Sequence, residues 1–226
     1  MAHAADAVLR FHFDYVSHNA WLAWARLLQI APRHGLLIEP VPVVFGAMLK
    51  AHGQLGPAEI APKRDWMLRN VRRKAALYGI PLAPPHSHPF NPLLALRLSC
   101  GEFTPASRER LVTALFRAAW VERRPLQDAA TLREVLQGLG EDADARLAEA
   151  QAEAVKARLR ANTEAALAEG LFGVPAMVVR GESFWGFDDL EHLERFLEGR
   201  EPLAPDAAAD AAWAAVRPSV ERRRDA

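Results

Sequence analysis

The sequence predicts an α/β fold in which two strand-containing units flank a block of helices. Residues 1–45 read as strand, helix and strand, and residues 171–200 read as two strands followed by a helix. Residues 46–170 carry helical patterns punctuated by glycine and proline. A βαβ unit and a ββα unit in this order form a thioredoxin-like domain, which an all-helical insertion splits. Residues 201–226 are a C-terminal tail.

The first unit has a polar junction between its strand and its helix. Residues 8–16 are mostly apolar or aromatic, which suits a buried strand, and residues 19–33 are rich in leucine and alanine, which favours a helix. Ser17 lies between the two. Residues 36–44 are aliphatic and β-branched but contain two prolines, so we expect an edge strand or an irregular one.

The insertion contains several helical stretches bounded by residues typical of helix ends. Gly79 closes the first stretch, and Thr104 with Pro105 forms the cap and first turn of a later one. The predicted stretches are residues 63–78, 105–121 and 128–138, and residues 142–169 form one long helix or two. We expect these helices to line the pocket for any substrate.

The second unit reads as a hairpin and a last helix. Residues 176–179 and 183–185 are short strand patterns on either side of a turn at Gly181. Asp188 and Glu191 have the spacing of a capping box, which predicts a helix over residues 188–197. The alanine-rich tail predicts one further short helix with a frayed end.

Composition excludes several classes of function. Lysine plus arginine equals aspartate plus glutamate, at 28 each, so no overall field attracts nucleic acid or an anionic membrane. No stretch approaches the roughly 20 apolar residues that span a bilayer, and the first residues lack a signal-peptide pattern, so we expect a cytoplasmic protein. Cys100 is the one cysteine, which excludes an internal disulfide and a CxxC redox pair. The eight histidines show no metal-ligand spacing, so we expect no metal.

Three positions carry residue types suited to a thiol-containing, peptide-like ligand. Ser17 precedes a helix, where free N–H groups and the helix dipole favour a thiolate, although a simple N-cap explains it as well. If the Val174–Pro175 bond is cis, the Val174 backbone can pair with an extended peptide; an ordinary edge-strand proline is the alternative. Asp188 can hold a ligand ammonium group or cap its own helix.

Five stretches together carry a family resemblance. In this order and spacing they resemble the 2-hydroxychromene-2-carboxylate isomerase family and its relatives, the kappa-class glutathione transferases. The likeness extends to about Leu197. The stretches are FDYVSHNAWLA, PVVFGAMLKAHGQ running into APKRDWM, NPLLALR, GLFGVPAMVV and FWGFDDL.

The resemblance implies that glutathione is the cofactor and assigns roles to residues of this chain. It implies that Ser17 contacts the glutathione sulfur as the catalytic residue and that the backbone at Val174 and Pro175 pairs with the cysteinyl part. Asp188 would take the γ-glutamyl end. Lys63 and Gln54 would reach the glycyl carboxylate or the substrate. The expected substrate contacts are His18, Lys63 and Trp66.

Four positions depart from the family pattern. His18 replaces the usual proline after the serine, and Gln54 replaces a common asparagine. Phe187 replaces a small or polar residue before the aspartate, and Asp189 replaces the arginine after it. We expect His18 to serve as a base or as an extra ligand contact.

The expected activity is glutathione-dependent isomerisation of a small aromatic substrate of the 2-hydroxychromene-2-carboxylate type, in aromatic catabolism. The family implies addition of the glutathione thiolate, ring opening, bond rotation and expulsion of the thiolate. A kappa-like transferase that conjugates electrophiles is one alternative, and a non-catalytic thioredoxin-like binding module is another. The resemblance also implies a homodimer.

Overall fold

A four-stranded sheet carries the two predicted units side by side. The computed structural model describes residues 7–203, 206–217 and 219. The strand order is β2-β1-β3-β4, with β1 parallel to β2 and antiparallel to β3, and β3 antiparallel to β4. The strands are β1 (Val8–Phe13), β2 (Leu37–Pro42), β3 (Ala176–Val179) and β4 (Glu182–Trp185). The thioredoxin-like arrangement with βαβ and ββα units is therefore confirmed.

Strand β2 lies at the edge of the sheet, as its two prolines predict. Pro40 and Pro42 both fall within the strand. Proline has no backbone N–H to donate to a ladder, so a strand with two of them suits a position with one neighbour only. That neighbour is β1, which lies between β2 and β3 in the sheet.

Every element between β2 and β3 is helical within the described residues, which confirms the all-helical insertion. Residues 142–169 form two helices and not one. The helices of the chain are α1 (His18–Arg33), α2 (Phe45–Ala51), α3 (Ala61–Leu77), α4 (Leu93–Ser99), α5 (Pro105–Trp120), α6 (Ala129–Gly138), α7 (Ala143–Glu149), α8 (Glu153–Ala168), α9 (Leu190–Leu197) and α10 (Ala207–Ala214). A short 3₁₀ turn, Pro57–Glu59, precedes α3.

Aromatic side chains join the sheet to the insertion in one continuous core. Phe116 of α5 packs against Phe13 and Tyr15, with ring centroids 5.5 and 4.8 Å apart. Trp120, also on α5, donates its indole N–H to the carbonyl oxygen of Tyr15 at 2.8 Å. Helix α5 therefore fixes the end of β1 from behind. The division into a domain of residues 1–45 with 171–200 and an insertion of residues 46–170 remains a prediction.

The start of the last helix differs from the sequence prediction. Helix α9 begins at Leu190, and its N-cap residue, Asp189, makes no side-chain capping bond. The predicted capping box of Asp188 and Glu191 is wrong, because Asp188 lies in the preceding turn. The Asp189 carboxylate instead accepts the backbone N–H of Trp185 at 2.9 Å, so it closes the turn after β4.

The tail contains the predicted short helix, α10, which Asp206 caps by accepting two backbone N–H groups. The frayed end predicted for the tail falls on residues 220–226, which lie outside the described residues. In the part of the chain that the structure describes, no helix is both long and apolar enough to cross a bilayer.

A buried histidine on the central strand makes folding stability depend on pH. His12 is 2% exposed and its Nδ1 has no hydrogen-bond partner. Burial and the charge of Arg10 lower its pKa from 6.5 to about 4, so the folded protein holds it neutral. An unfolded chain binds a proton at this residue below pH 6.5, and the folded chain does so only near pH 4. Stability present above pH 6.5 is therefore lost as the pH falls towards 4.

We expect His12→Leu to flatten this dependence. In the wild type the free energy of unfolding should decrease between pH 6.5 and pH 4 with a contribution of about 3 kcal/mol from His12, which the leucine variant lacks. Urea unfolding at several pH values measures the difference. Equal slopes in the two proteins would show that His12 takes up its proton over the same pH range in the folded and unfolded states.

Candidate functional site

The site is a cavity of about 720 Å³ between the end of β1, helices α2 and α3 and the loop that precedes β3. It brings together six of the eight residues that the sequence singles out, and leaves Pro175 and Asp188 outside its lining. The six are Ser17, His18, Gln54, Lys63, Trp66 and Val174. They come from four separate parts of the chain.

Ser17 lies where β1 turns into α1. Its backbone N–H donates to the carbonyl oxygen of Asp14 at 3.0 Å, and its Oγ accepts the N–H of Ala20 at 3.2 Å. The N-cap interpretation is therefore confirmed. It does not compete with a ligand role, because the capping bond uses a lone pair of Oγ and leaves the hydroxyl hydrogen free to donate. An anion next to Ser17 meets that hydrogen and the positive end of a helix of 16 residues.

Asp14 supports this junction from beneath and was not singled out as a site residue from the sequence. Its carboxylate is buried and accepts two backbone N–H groups, from Val16 to Oδ1 and from Phe45 to Oδ2, both at 3.0 Å. Burial raises its pKa from 3.8 to about 6, against the opposing effect of the two hydrogen bonds. Asp14 thus ties the end of β1 to the first residue of α2, and both segments line the cavity.

The loop before β3 offers an unused backbone to the cavity. The Val174–Pro175 peptide bond is cis. Neither the N–H nor the carbonyl oxygen of Val174 is hydrogen-bonded to another described residue. A peptide that lies along this segment can therefore pair with both groups. Pro175 is buried, and its carbonyl oxygen accepts the N–H of Gly186 at 2.8 Å.

Exposed apolar side chains surround the mouth of the cavity. Trp185 packs so closely over Gly173 that a Cβ there would lie 2.8 Å from its indole nitrogen, and its ring is 5.0 Å from that of Phe172. Trp66 and Leu55 extend from the insertion side and are more than half exposed. Large apolar groups exposed around a cavity are typical of a ligand site. An aromatic ligand suits this mouth.

Lys63 and Gln54 supply polar groups on the insertion side of the cavity. Both side chains are exposed, and Lys63 forms no ion pair with a described carboxylate. Neither side chain has a hydrogen-bond partner within the described residues. An ammonium group and an amide that are free in this way can hold a carboxylate.

Asp188 is exposed and already has a partner. Its carboxylate accepts the ammonium group of Lys74 at 2.7 Å, and the Lys74 side chain is only 13% exposed. Phe187 is buried against Tyr78, with Lys74 Nζ 5.5 Å from the Phe187 ring centroid. The role of Asp188 towards a γ-glutamyl group stays a prediction. A ligand ammonium there would share the carboxylate with Lys74.

Two neutral imidazoles form part of the cavity wall beside Ser17. His18 is 7% exposed, and burial lowers its pKa from 6.5 to about 4, with smaller contributions from repulsion by a protonated His88 and by Lys74. His88 Nε2 lies 3.0 Å from the carbonyl oxygen of Val16, and burial lowers the pKa of His88 too. His88 could not be identified from local sequence, because this contact joins residues 72 positions apart.

The chain places no thiol in the cavity. Cys100 is 1% exposed and does not line the cavity, and burial raises its pKa from 9.0 to about 11. A thiol with so high a pKa is almost fully protonated at neutral pH and is a poor nucleophile. Among the described residues, no group of three His, Cys, Asp or Glu side chains is placed to hold a metal ion.

Known proteins share this architecture over most of the chain. A family model described as a DSBA-like thioredoxin domain matches residues 8–198. The 2-hydroxychromene-2-carboxylate isomerase of Sphingobium xenophagum is 31% identical over 197 residues, which are 83% of this chain and 96% of that protein. Glutathione S-transferase kappa 1 of Rattus norvegicus is 24% identical over 215 residues, 89% of this chain and 95% of that protein.

A solved structure extends the likeness to three dimensions. A 2-hydroxychromene-2-carboxylate isomerase superposes with a TM-score of 0.80 at 27% sequence identity, covering 92% of this chain and all of the other. The match includes both thioredoxin units and the helices between them.

Proposed function

Because the chain belongs to the DSBA-like thioredoxin domain family and, within it, to the 2-hydroxychromene-2-carboxylate isomerase family, we propose that it is a glutathione-dependent isomerase of chromene-type aromatic carboxylates. One observation carries the proposal. The Ser17 hydroxyl, at the start of α1, and the unpaired backbone of Val174 line one cavity that contains no protein thiol. The site is suited to a thiol that arrives with a peptide.

The residues present fit glutathione at several points of its structure. Ser17 would donate to the sulfur, and the Val174 backbone would pair with the cysteinyl amide groups. Lys63 and Gln54 would hold the glycyl carboxylate or the substrate, and Asp188 the γ-glutamyl ammonium group. When bound, glutathione supplies the thiolate that adds reversibly to the substrate. Pro175 would hold the Val174 segment in place from behind.

Ser17 would keep the thiol of the bound ligand ionised. A free thiol has a pKa near 8.5, and both a hydroxyl donor and a helix N-terminus stabilise its anionic form. The Ser17 hydrogen is the donor here, and Asp14 holds the turn that aims it. The buried Asp14 carboxylate opposes the effect through its negative charge. Both of its oxygens are taken up by N–H groups, which moderates that charge.

The rest of the cavity fits a flat ring that carries a carboxylate. Trp66, Phe172 and Trp185 provide apolar surface at the mouth, and Lys63 is free to bind an anion. A 2-hydroxychromene-2-carboxylate has both features. Its opened form is a phenol joined through a double bond to a 2-oxo acid, and the isomerisation is a rotation about that bond. We place the reaction in aromatic catabolism.

The enzyme would act in the cytoplasm, where glutathione is kept reduced and a chain with one buried cysteine needs no disulfide. We also propose that it forms a homodimer, as the family resemblance implies.

Measuring turnover at a known concentration of glutathione tests the proposal. Purified protein is given 2-hydroxychromene-2-carboxylate with and without glutathione, while product and free thiol are followed together. We expect product to form only with glutathione and the free thiol to stay constant. Loss of thiol in step with product would identify a kappa-like transferase. No turnover, and no glutathione binding by calorimetry, would leave a thioredoxin-like binding module.

A further inference from the structure

His88 lies in the wall of the cavity, and the glutathione contacts proposed above do not use it. It belongs to the proline-rich loop between α3 and α4 and lines the same cavity as Ser17. Trp120 packs against its ring with 5.6 Å between the ring centroids, and the ring of His18 lies at 6.4 Å. A role for His88 rests on the proposed function and concerns the substrate rather than glutathione.

A hydrogen bond to the backbone fixes the tautomer of His88. Its Nε2 lies 3.0 Å from the carbonyl oxygen of Val16. A carbonyl oxygen can only accept, so Nε2 carries the hydrogen, and Nδ1 of the neutral ring has a lone pair. Burial lowers the pKa of His88 from its ordinary value of 6.5, so the neutral ring predominates at pH 7.

The lone pair of Nδ1 is available to a ligand. No described residue is hydrogen-bonded to this nitrogen. The side chain is partly exposed, and Nδ1 is open to solvent rather than sealed in the core. Because His88 lines the cavity, Nδ1 is an acceptor that this loop offers to a bound substrate.

The proposed substrate requires a proton transfer that glutathione does not supply. 2-Hydroxychromene-2-carboxylate carries a hydroxyl group and the ring oxygen on the same carbon atom. Opening the ring converts the hydroxyl into the ketone and the ring oxygen into the phenol. A proton must therefore leave the first oxygen and reach the second. Closing the ring requires the opposite transfer.

We propose that His88 is a further catalytic residue, whose Nδ1 takes the proton from the hydroxyl of the substrate and delivers it to the ring oxygen. As the O–H bond breaks, its electron pair forms the π bond of the ketone. The bond between that carbon and the ring oxygen then breaks, and its pair stays on the oxygen. The phenolate takes the proton from Nδ1. The ring of His88 is neutral again, and no proton, oxidant or reductant is consumed.

The bond to Val16 suits His88 to this transfer. While Nδ1 holds the proton the ring is cationic, and a hydrogen bond from a charged donor is stronger than one from a neutral donor. The same bond and the packing against Trp120 fix the orientation of the ring, which a general base requires. A phenol has a pKa of about 10, far above that of His88, so delivery of the proton to the phenolate is favourable.

His88→Gln tests the proposal because it removes the base and keeps the bond to Val16. The amide N–H of glutamine reaches about the position of Nε2, whereas neither atom of the amide is a base. We expect kcat with 2-hydroxychromene-2-carboxylate to fall about 100-fold. Calorimetric binding of glutathione should change less than about twofold, because His88 is assigned to the substrate.

A substrate that has no ring to open separates this role from a structural one. The cis form of 4-phenyl-2-oxobut-3-enoate has the same conjugated 2-oxo acid but no phenol. Thiolate addition and bond rotation convert it to the trans form with no proton transfer between its oxygens. We expect His88→Gln to isomerise it within about twofold of the wild-type kcat.

The matched control is His86→Gln. His86 lies in the same loop, but it is exposed and does not line the cavity, so both kcat values should match the wild type. A wild-type kcat of His88→Gln with the chromene carboxylate, or equal losses with the two substrates, would overturn the role of His88 and leave the proposed function intact. A wild type that turns over the chromene carboxylate without glutathione would instead overturn the proposed function.

Discussion

In Ser17→Ala we expect the glutathione-dependent kcat/KM to fall about 10- to 100-fold at neutral pH. In the proposed complex, the substitution removes the hydroxyl hydrogen that would face the bound sulfur. A hydrogen bond to a charged group contributes about 1.5 to 3 kcal/mol, which corresponds to about one to two units in the pKa of the thiol. The fraction of bound glutathione present as thiolate falls accordingly. Ultraviolet absorbance of the bound thiolate, titrated against pH, measures the change directly.

Thr104→Ala is the matched control for this variant. Thr104 caps α5, which has the same length as α1, and its hydroxyl oxygen accepts the N–H of Ser107 at 3.2 Å. Both substitutions remove one helix cap, which contributes about 1 kcal/mol to stability. Thr104 does not line the cavity, so Thr104→Ala should lose stability and keep its activity. If Ser17→Ala loses no more activity than Thr104→Ala, Ser17 is an N-cap only.

Much of the fold and part of the site follow from local sequence. Ser17 directly precedes α1 and Pro175 directly precedes β3, so each of these features is encoded within a few residues. Short-range rules for caps, strand prolines and turns therefore locate them. The two prolines of β2 likewise predict its edge position without knowledge of its neighbour. These features depend on backbone geometry over one turn or one strand.

The features that sequence reasoning missed depend on contacts between distant segments. Asp14 follows an apolar strand pattern, and its hydrogen bond with the N–H of Phe45 joins residues 31 positions apart. Asp188 was assigned to a helix start, yet its carboxylate is paired with Lys74, 114 positions away. His88 lies in a proline-rich loop whose path over Val16 no local pattern specifies. Tertiary packing determines these partners, so a single sequence does not reveal them.

Asp14→Leu should be strongly destabilising. It leaves the N–H groups of Val16 and Phe45 buried without an acceptor, at about 1 to 3 kcal/mol each, so we expect a loss of about 2 to 6 kcal/mol in the free energy of unfolding. Urea unfolding measures it. Asp189→Leu is the control, because that carboxylate accepts a single N–H at a partly exposed turn and should cost about 1 kcal/mol. Equal losses would show that Asp14 does not hold the junction.

The pH dependence of Asp14→Asn separates the hydrogen bonds of this residue from its charge. The folded pKa near 6 lies above the unfolded value of 3.8, so the folded state binds the extra proton between these values. The stability that Asp14 contributes is thus fully present below about pH 3.8 and decreases by about 3 kcal/mol as the pH rises through 6. Asparagine has no such dependence. The free energy of unfolding of the wild type, relative to that of Asp14→Asn, should therefore be greatest at pH 4 and smallest above pH 7. If this difference instead increases with pH, the folded protein stabilises the charged carboxylate. A buried charge next to Ser17 that lowers stability at neutral pH is consistent with a residue kept for its two acceptor oxygens. In the proposed complex these oxygens would hold the turn that faces the sulfur.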